Sequence, residues 1–259
     1  MKAFEFLRPK RQEKPRNFGI TVMLDKGIGA ETVKDLMEIG SEYVDFVKFG
    51  WCTTTLCDRD LIKEKIEIYN SYDVKVMPGG TLFEVAYLKN KLDKYFEEAK
   101  DLGFEFIEIS DGSINLSLDE RSEIIENAID EGFKVISEIG KKNPEIDKKL
   151  TPEKRVKIAK HDLNSGVEMV TIEARESGRN VGVYDQNGNV KKSEVEYLIS
   201  KLPVKKVIWE APQKDQQTYF IIRLGPNVNL GNIPPEDIIA VETIRRGLRG
   251  DTIGKVKLE

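Results

Sequence analysis

The sequence predicts a single α/β domain folded as a (β/α)8 TIM barrel. Three observations support this: eight short β-branched or aromatic runs, an amphipathic segment between successive runs, and a length of 259 residues, close to the roughly 250 of such barrels. The runs are Phe18–Leu24, Tyr43–Lys48, Val74–Met77, Phe104–Ile109, Phe133–Glu138, Val167–Glu173, Val204–Glu210 and Asn227–Leu230. Most are apolar nearly throughout, as expected of parallel strands covered on both faces. Strands alternating with helices imply βαβ units. The rival, an open doubly wound sheet, usually carries a Gly-rich first turn; Asp25-Lys-Gly-Ile-Gly lacks the third glycine and the spacing. No Pro/Ser-rich linker divides the chain, so residues 1–259 read as one domain with a short polar extension over about residues 1–17.

The elements follow in order. Val33, Leu36, Met37 and Gly40 share one face of the first helix. Thr81…Glu84, Ser117…Glu120 and Ser193…Glu196 fit the capping box that starts a helix. Leu118, Ile124, Ile125, Ala128 and Ile129, and later Val156, Ala159 and Leu163, repeat at helical spacing. Pro152 after Thr151, and Pro235, suit a first helical position. Gly103, Gly132 and Gly166 each precede a strand, where a left-handed helix cap is expected. The longest irregular stretch, Ala174–Val190, contains the turn Asp185-Gln-Asn-Gly and is a lid candidate.

The formal net charge is -4, from 41 basic and 45 acidic residues without a dominant block, which argues against a dedicated nucleic-acid binder. Two cysteines, Cys52 and Cys57, make no disulfide scaffold and suggest a reducing compartment; they read as small hydrophobes. The polar, basic N-terminus lacks the apolar core of a signal peptide, and no apolar run nears the ~20 residues of a membrane span. A cytoplasmic protein that binds neither nucleic acid nor membrane is expected.

In such barrels chemistry sits at the C-terminal strand ends. There the runs turn polar: Asp25, Lys48, Pro78-Gly-Gly, Glu108 with Ser110 and Asp111, Glu138, Glu173 with Arg175, Glu210, and Asn227 to Asn232. Period-two alternation puts Thr21, Met23 and Asp25 on one face. It does the same for Phe46 and Lys48; Phe106, Glu108 and Ser110; Ile136 and Glu138; Thr171, Glu173 and Arg175; and Ile208 and Glu210. If these faces point inward, acids ending four successive strands meet at one mouth. Crowded carboxylates call for a bound Mg2+ or a shared proton. Any one of them read alone is as well explained as a solvated or paired charge. His161 reads as a surface residue, Thr53–Thr55 as a helix cap, and Lys141 and Lys142 either as a solvated loop or as a lure for anions.

Taken together, the strand ends resemble the phosphosulfolactate synthase family over essentially the whole chain. The resemblance is carried by Gly19-Ile-Thr-Val-Met-Leu-Asp-Lys-Gly, Val44-Asp-Phe-Val-Lys-Phe-Gly-Trp, Val76-Met-Pro-Gly-Gly-Thr-Leu-Phe-Glu, Ile107-Glu-Ile-Ser-Asp-Gly, Val135-Ile-Ser-Glu-Ile-Gly-Lys-Lys, Ile172-Glu-Ala-Arg-Glu-Ser-Gly, Ile208-Trp-Glu-Ala-Pro and Asn227-Val-Asn-Leu-Gly-Asn-Ile. It implies Mg2+-dependent addition of sulfite to phosphoenolpyruvate, giving 2-phospho-3-sulfolactate, an early step of coenzyme M biosynthesis. Two other readings stay open: another metal-dependent barrel lyase or aldolase acting on an enolate-forming acid, and a non-catalytic stress-associated barrel. On the synthase reading, Glu108, Glu138 and Glu173 are the expected Mg2+ ligands, with Glu210 close by. Lys48 and Glu210 are the expected catalytic residues; Lys48 is read as the proton donor at C2, where an apolar wall can lower its pKa, with a fixed positive charge binding substrate, or a salt bridge to Asp25 or another strand-end acid, as the alternatives. Asp25, Ser110, Arg175, Arg179, Asn229 and Gly231 are expected to bind substrate, with phosphate in the Asn227–Asn232 region. A homo-oligomer is expected.

Overall fold

Eight parallel strands form one sheet in the computed structural model, which describes residues 2–257. They are β1 (Thr21–Asp25), β2 (Phe46–Phe49), β3 (Lys75–Pro78), β4 (Phe106–Ser110), β5 (Lys134–Ile139), β6 (Met169–Ile172), β7 (Val207–Glu210) and β8 (Asn229–Ile233). The order is β3-β2-β1-β8-β7-β6-β5-β4. The two end strands, β3 and β4, run close together without a paired ladder, so the sheet curls nearly shut into a barrel. Each predicted run overlaps one strand, which starts one to three residues into the run, and β8 continues three residues past the end of its run.

The helices are α1 (Ala30–Gly40), α2 (Arg59–Ser71), α3 (Gly80–Leu88), α4 (Leu92–Leu102), α5 (Leu118–Asp130), α6 (Pro144–Asp147), α7 (Pro152–Asn164), α8 (Lys192–Lys201), α9 (Lys214–Leu224) and α10 (Ile238–Arg245). Ser117 and Glu120 form the expected capping box, and Thr151 caps α7 with Pro152 in its first turn. Gly103, Gly132 and Gly166 take the expected positive φ. Two predicted boxes fail. Thr81 lies inside α3, and Ser193 lies inside α8, where Glu196 pairs with Arg223 instead. Pro235 starts a 3-10 turn ahead of α10.

Two apolar layers result. The larger lies between strands and helices, and includes Met23, Phe49, Trp209 and Phe220. The smaller fills the barrel interior with Ile20, Val22, Phe46, Met77, Phe106, Ile136, Met169 and Ile208. Phe46 and Phe106 meet edge to face there, with ring centroids 4.9 Å apart. The inward residues of β1 are therefore Ile20 and Val22, not Thr21 and Met23. Both faces of that strand are buried, Val22 and Leu24 on one and Thr21, Met23 and Asp25 on the other, so a polar strand end did not fix which face points inward. The N-terminal extension is clasped to the barrel's N-terminal end: the Arg11 guanidinium donates to the Gly19 and Pro226 carbonyls, and Arg16 pairs with Asp45 at 2.8 Å.

Candidate active site

Above the apolar layer the barrel interior turns polar and opens into a cavity of about 460 Å3. Lys48, Glu108, Glu138, Glu173, Glu210, Lys142, Arg175 and Asn232 line it, with Gly79, Gly80 and Thr81 at the start of α3. Strands β2, β4, β5 and β7 deliver Lys48, Glu108, Glu138 and Glu210 to one mouth, because their inward period continues one step past the hydrocarbon layer at Phe46, Phe106, Ile136 and Ile208, and Glu173 and Asn232 join them from the ends of β6 and β8.

Lys48 sits among three carboxylates. Its Nζ donates to Glu210 at 2.8 Å and to Glu108 and Glu138 at 3.2 Å each. Burial alone would push this ammonium down, but Glu108, Glu210 and Glu138 outweigh it and hold it well above the usual lysine range. The apolar wall expected to lower its pKa is thus replaced by a ring of acids, and the shift has the opposite sign. Burial pushes the Glu108 carboxyl up to about 7 against the pull of Lys48. Glu138 is held down at about 2, where Lys48 and Lys142 overcome the cost of burial. Glu173 is driven well above the carboxylate range by burial and by the charges of Glu138 and Glu210. Burial also raises Glu210 despite its contact with Lys48. Burial and like charge thus favour the neutral form of Glu173, whereas the two lysines favour the ionised form of Glu138.

The carboxylates are held by backbone. Glu108 accepts from the Gly80 amide at 2.8 Å. Glu210 accepts from the amides of Ala174 (2.7 Å) and Arg175 (3.1 Å), and Glu173 from that of Arg175 (2.6 Å). Arg175 carries a φ of 60°, which turns the chain back over the strand end so that its amide faces both acids. One oxygen of each of Glu138, Glu173 and Glu210 lies within 4.8 Å of the others, and Glu173 Oε2, though buried, has no hydrogen-bond partner. Three converging carboxylates, one of which has an unpartnered oxygen, offer the hard donors that fit a small divalent cation such as Mg2+. Glu108 stands outside this trio, engaged by Lys48 and Gly80.

Other residues expected at the site lie elsewhere. Asp25 is fully buried between barrel and helices, paired with Lys65 at 2.7 Å and bonded by Tyr69 and two amides of its own turn. Asn229 is at the opposite end, where it ties the starts of β1, β7 and β8 together through Gly19, Ile20, Lys205 and Val207. Gly231 packs against Ile208 and Glu210 below the cavity. Ser110 donates to Glu84 instead of facing the cavity. Arg179 is exposed on the 174–190 loop and does not line the cavity. Arg175 does line it.

Two lining residues are named in the sequence reading without an assigned role, Lys142 as one of two loop lysines and Asn232 as part of the Asn227–Asn232 segment. Lys142 points Nζ to Thr81 Oγ1 (2.7 Å) and Glu84 (3.1 Å), whereas its neighbour Lys141 turns to Asp111 and to the carbonyls of Asp111 and Ile114. Nothing in a Lys-Lys pair says which member faces inward. Asn232 reaches the mouth because β8 slips register against β1 between Leu230 and Ile233, and Asn232 takes a φ of 53°. Such an irregularity re-aims a side chain and has no sequence signature at this position.

The chain matches the family model described as (2R)-phospho-3-sulfolactate synthase (ComA) over residues 9–251. It is 57% identical over 258 residues to a phosphosulfolactate synthase of Methanothermobacter thermautotrophicus, covering 100% of each chain. It is 50% identical over 256 residues to that of Methanocaldococcus jannaschii, covering 99% of this chain and 100% of the relative. Among solved structures, the fold resembles 3-hexulose-6-phosphate synthase from Salmonella typhimurium, with a TM-score of 0.57 at 12% identity over 89% of this chain and 100% of that one.

Proposed function

This chain belongs to the phosphosulfolactate synthase family of enzymes, and from that premise we propose that it adds sulfite to phosphoenolpyruvate in a Mg2+-dependent reaction. The product is 2-phospho-3-sulfolactate, destined for coenzyme M biosynthesis. The reading is carried by one observation: a cavity where three converging carboxylates, with an unpartnered oxygen, face Lys142 and Arg175. Glu138, Glu173 and Glu210 would hold the Mg2+, which when bound supplies positive charge where the substrate carboxylate accumulates negative charge.

The protein's own groups do the rest. Sulfite sulfur bonds to C3 of phosphoenolpyruvate, the C2–C3 π electrons move toward the carboxylate, and C2 then takes a proton. Lys48 is enclosed by three acids, so its charge holds the carboxylate ring in place. Lys142 is the more open ammonium, with side-chain exposure of 22% against 8% for Lys48. It is the better placed of the two to bind an anion and to deliver the proton. Arg175 offers a planar fork to phosphate or sulfite.

The assay is phosphate-bearing sulfonate formation from phosphoenolpyruvate, with and without sulfite and with Mg2+ titrated after chelation. Product should require all three. Turnover undiminished by chelator removes the metal from the proposal, and consumption of phosphoenolpyruvate without sulfite removes the synthase reaction.

A further inference from the structure

Glu84 is a buried carboxylate beside the site that the proposed reaction does not use. It lies on α3, is 1% exposed, and does not line the cavity. The sequence reads it as the second half of a capping box with Thr81, but it caps nothing on its own helix. Its carboxylate instead reaches across to the loop after β4. There it accepts from the Ser110 hydroxyl, from the amides of Gly112 (2.8 Å) and Ser113 (3.1 Å), and from Lys142 Nζ (3.1 Å). A carboxylate this deeply buried must be fully hydrogen-bonded to persist as an anion. Three of the four donors are neutral and local, so the fourth, Lys142, is the group whose position the charge controls.

Lys142 is held at several further points. Thr81 Oγ1 accepts from Nζ at 2.7 Å, the Lys142 amide donates to the Gly112 carbonyl at 2.9 Å, and its own carbonyl accepts from Arg175. Its aliphatic stem lies flat on Gly112: a Cβ there would come within 3.0–3.2 Å of three successive stem carbons. A lysine chain free in solvent samples many rotamers, and restricting them is costly at the moment of substrate binding. Here the restriction is built into the fold.

We propose that Glu84 is a positioning residue for the reaction, fixing the Lys142 ammonium over the substrate cavity without touching substrate itself. The sign of its effect separates this from simple electrostatics. A carboxylate acting only through its charge would repel an anionic substrate, so neutralising it would lower KM. A carboxylate acting through Lys142 would raise KM when neutralised.

The inference rests on the synthase reading for its assay and is tested by a double-mutant cycle in the full chain. Glu84→Gln is expected to raise KM for phosphoenolpyruvate and to lower kcat/KM about tenfold. Lys142→Met is expected to lose at least as much. The double variant should match Lys142→Met within about twofold, because Glu84 has nothing left to position. A lowered KM in Glu84→Gln, unchanged kinetics, or an undiminished loss on the Lys142→Met background would each overturn the proposal. Should Glu84→Gln fail to fold, Glu84→Asp, which keeps the charge and withdraws it from Nζ, enters the same cycle with the same expectations. If the unmodified chain forms no sulfonate, the synthase reading has failed instead, and the cycle is read from the Kd of inorganic phosphate.

Discussion

Asp25 and Lys65 show how a strand-end acid can be a matter of stability alone. Asp25 is fully buried, and Lys65 Nζ stands 2.7 Å from it and 4.8 Å from the Phe49 ring centroid. Breaking a buried pair strands the surviving charge and costs about 3 kcal/mol or more. Lys65→Met is therefore expected to lower unfolding free energy by about 3 kcal/mol, with kcat/KM per folded molecule kept within about twofold. Denaturant melts read beside kinetics check this, and a large kinetic loss at unchanged stability would return Asp25 to the site. Lys48 makes the opposite point. Its charge is also satisfied by acids, but those acids line the cavity.

The loop from Ala174 to Val190 is anchored rather than loose in this state. Gln216 donates to the Gly178 and Gly188 carbonyls, Gln213 to the Ser177 carbonyl, and the Gly182 amide to buried Asp147. The predicted turn is present: Tyr184 bridges Val190, and the Gly188 amide returns to the Asp185 carbonyl. What periodicity could not convey is how closely this loop passes the site. Gly182, at φ 59°, lies so near the Glu173 carbonyl that a Cβ would sit 1.9 Å from its oxygen. Backbone cannot yield as a side chain does, so Gly182→Ala must displace the segment that carries Glu173. A shift near 1 Å at reacting groups can cost about 100-fold. Gly182→Ala is expected to keep the circular dichroism of the barrel and lose about two orders of magnitude in kcat/KM. Wild-type kinetics in that variant would show that Glu173 tolerates displacement.

The two ends of the barrel carry different burdens, and the sequence revealed them unequally. Strands β4 to β7 each end in an apolar–acid alternation, so Glu108, Glu138, Glu173 and Glu210 were legible as one inward set. On β1 the same rule took the wrong phase and misplaced Asp25, and the last run, read as ending at Leu230, put Asn229 near the strand end although β8 starts there. At the N-terminal end, charge holds chain segments together. Arg16 pairs with Asp45 at 2.8 Å and also donates to the carbonyls of Gln12 and Glu42, while Asp45 accepts from the Thr21 amide at the start of β1. Arg245 bonds the carbonyls of Ile20, Pro226 and Val228. In barrels of this class that face serves stability while the opposite face serves catalysis. Asp45→Asn is the sharpest test, because it leaves the nearly buried Arg16 guanidinium without a carboxylate and weakens the tie between the extension, β1 and β2. Loss of such a pair costs about 3 kcal/mol, roughly 6–12 °C in Tm for a chain of this size. Below the transition, kcat and KM should stay within about twofold of the unmodified enzyme, since the cavity lies beyond the whole apolar layer from Ile20 to Ile208. A kinetic loss with Tm unchanged would mean that the two ends are coupled through that layer, and that the division between them fails for this chain.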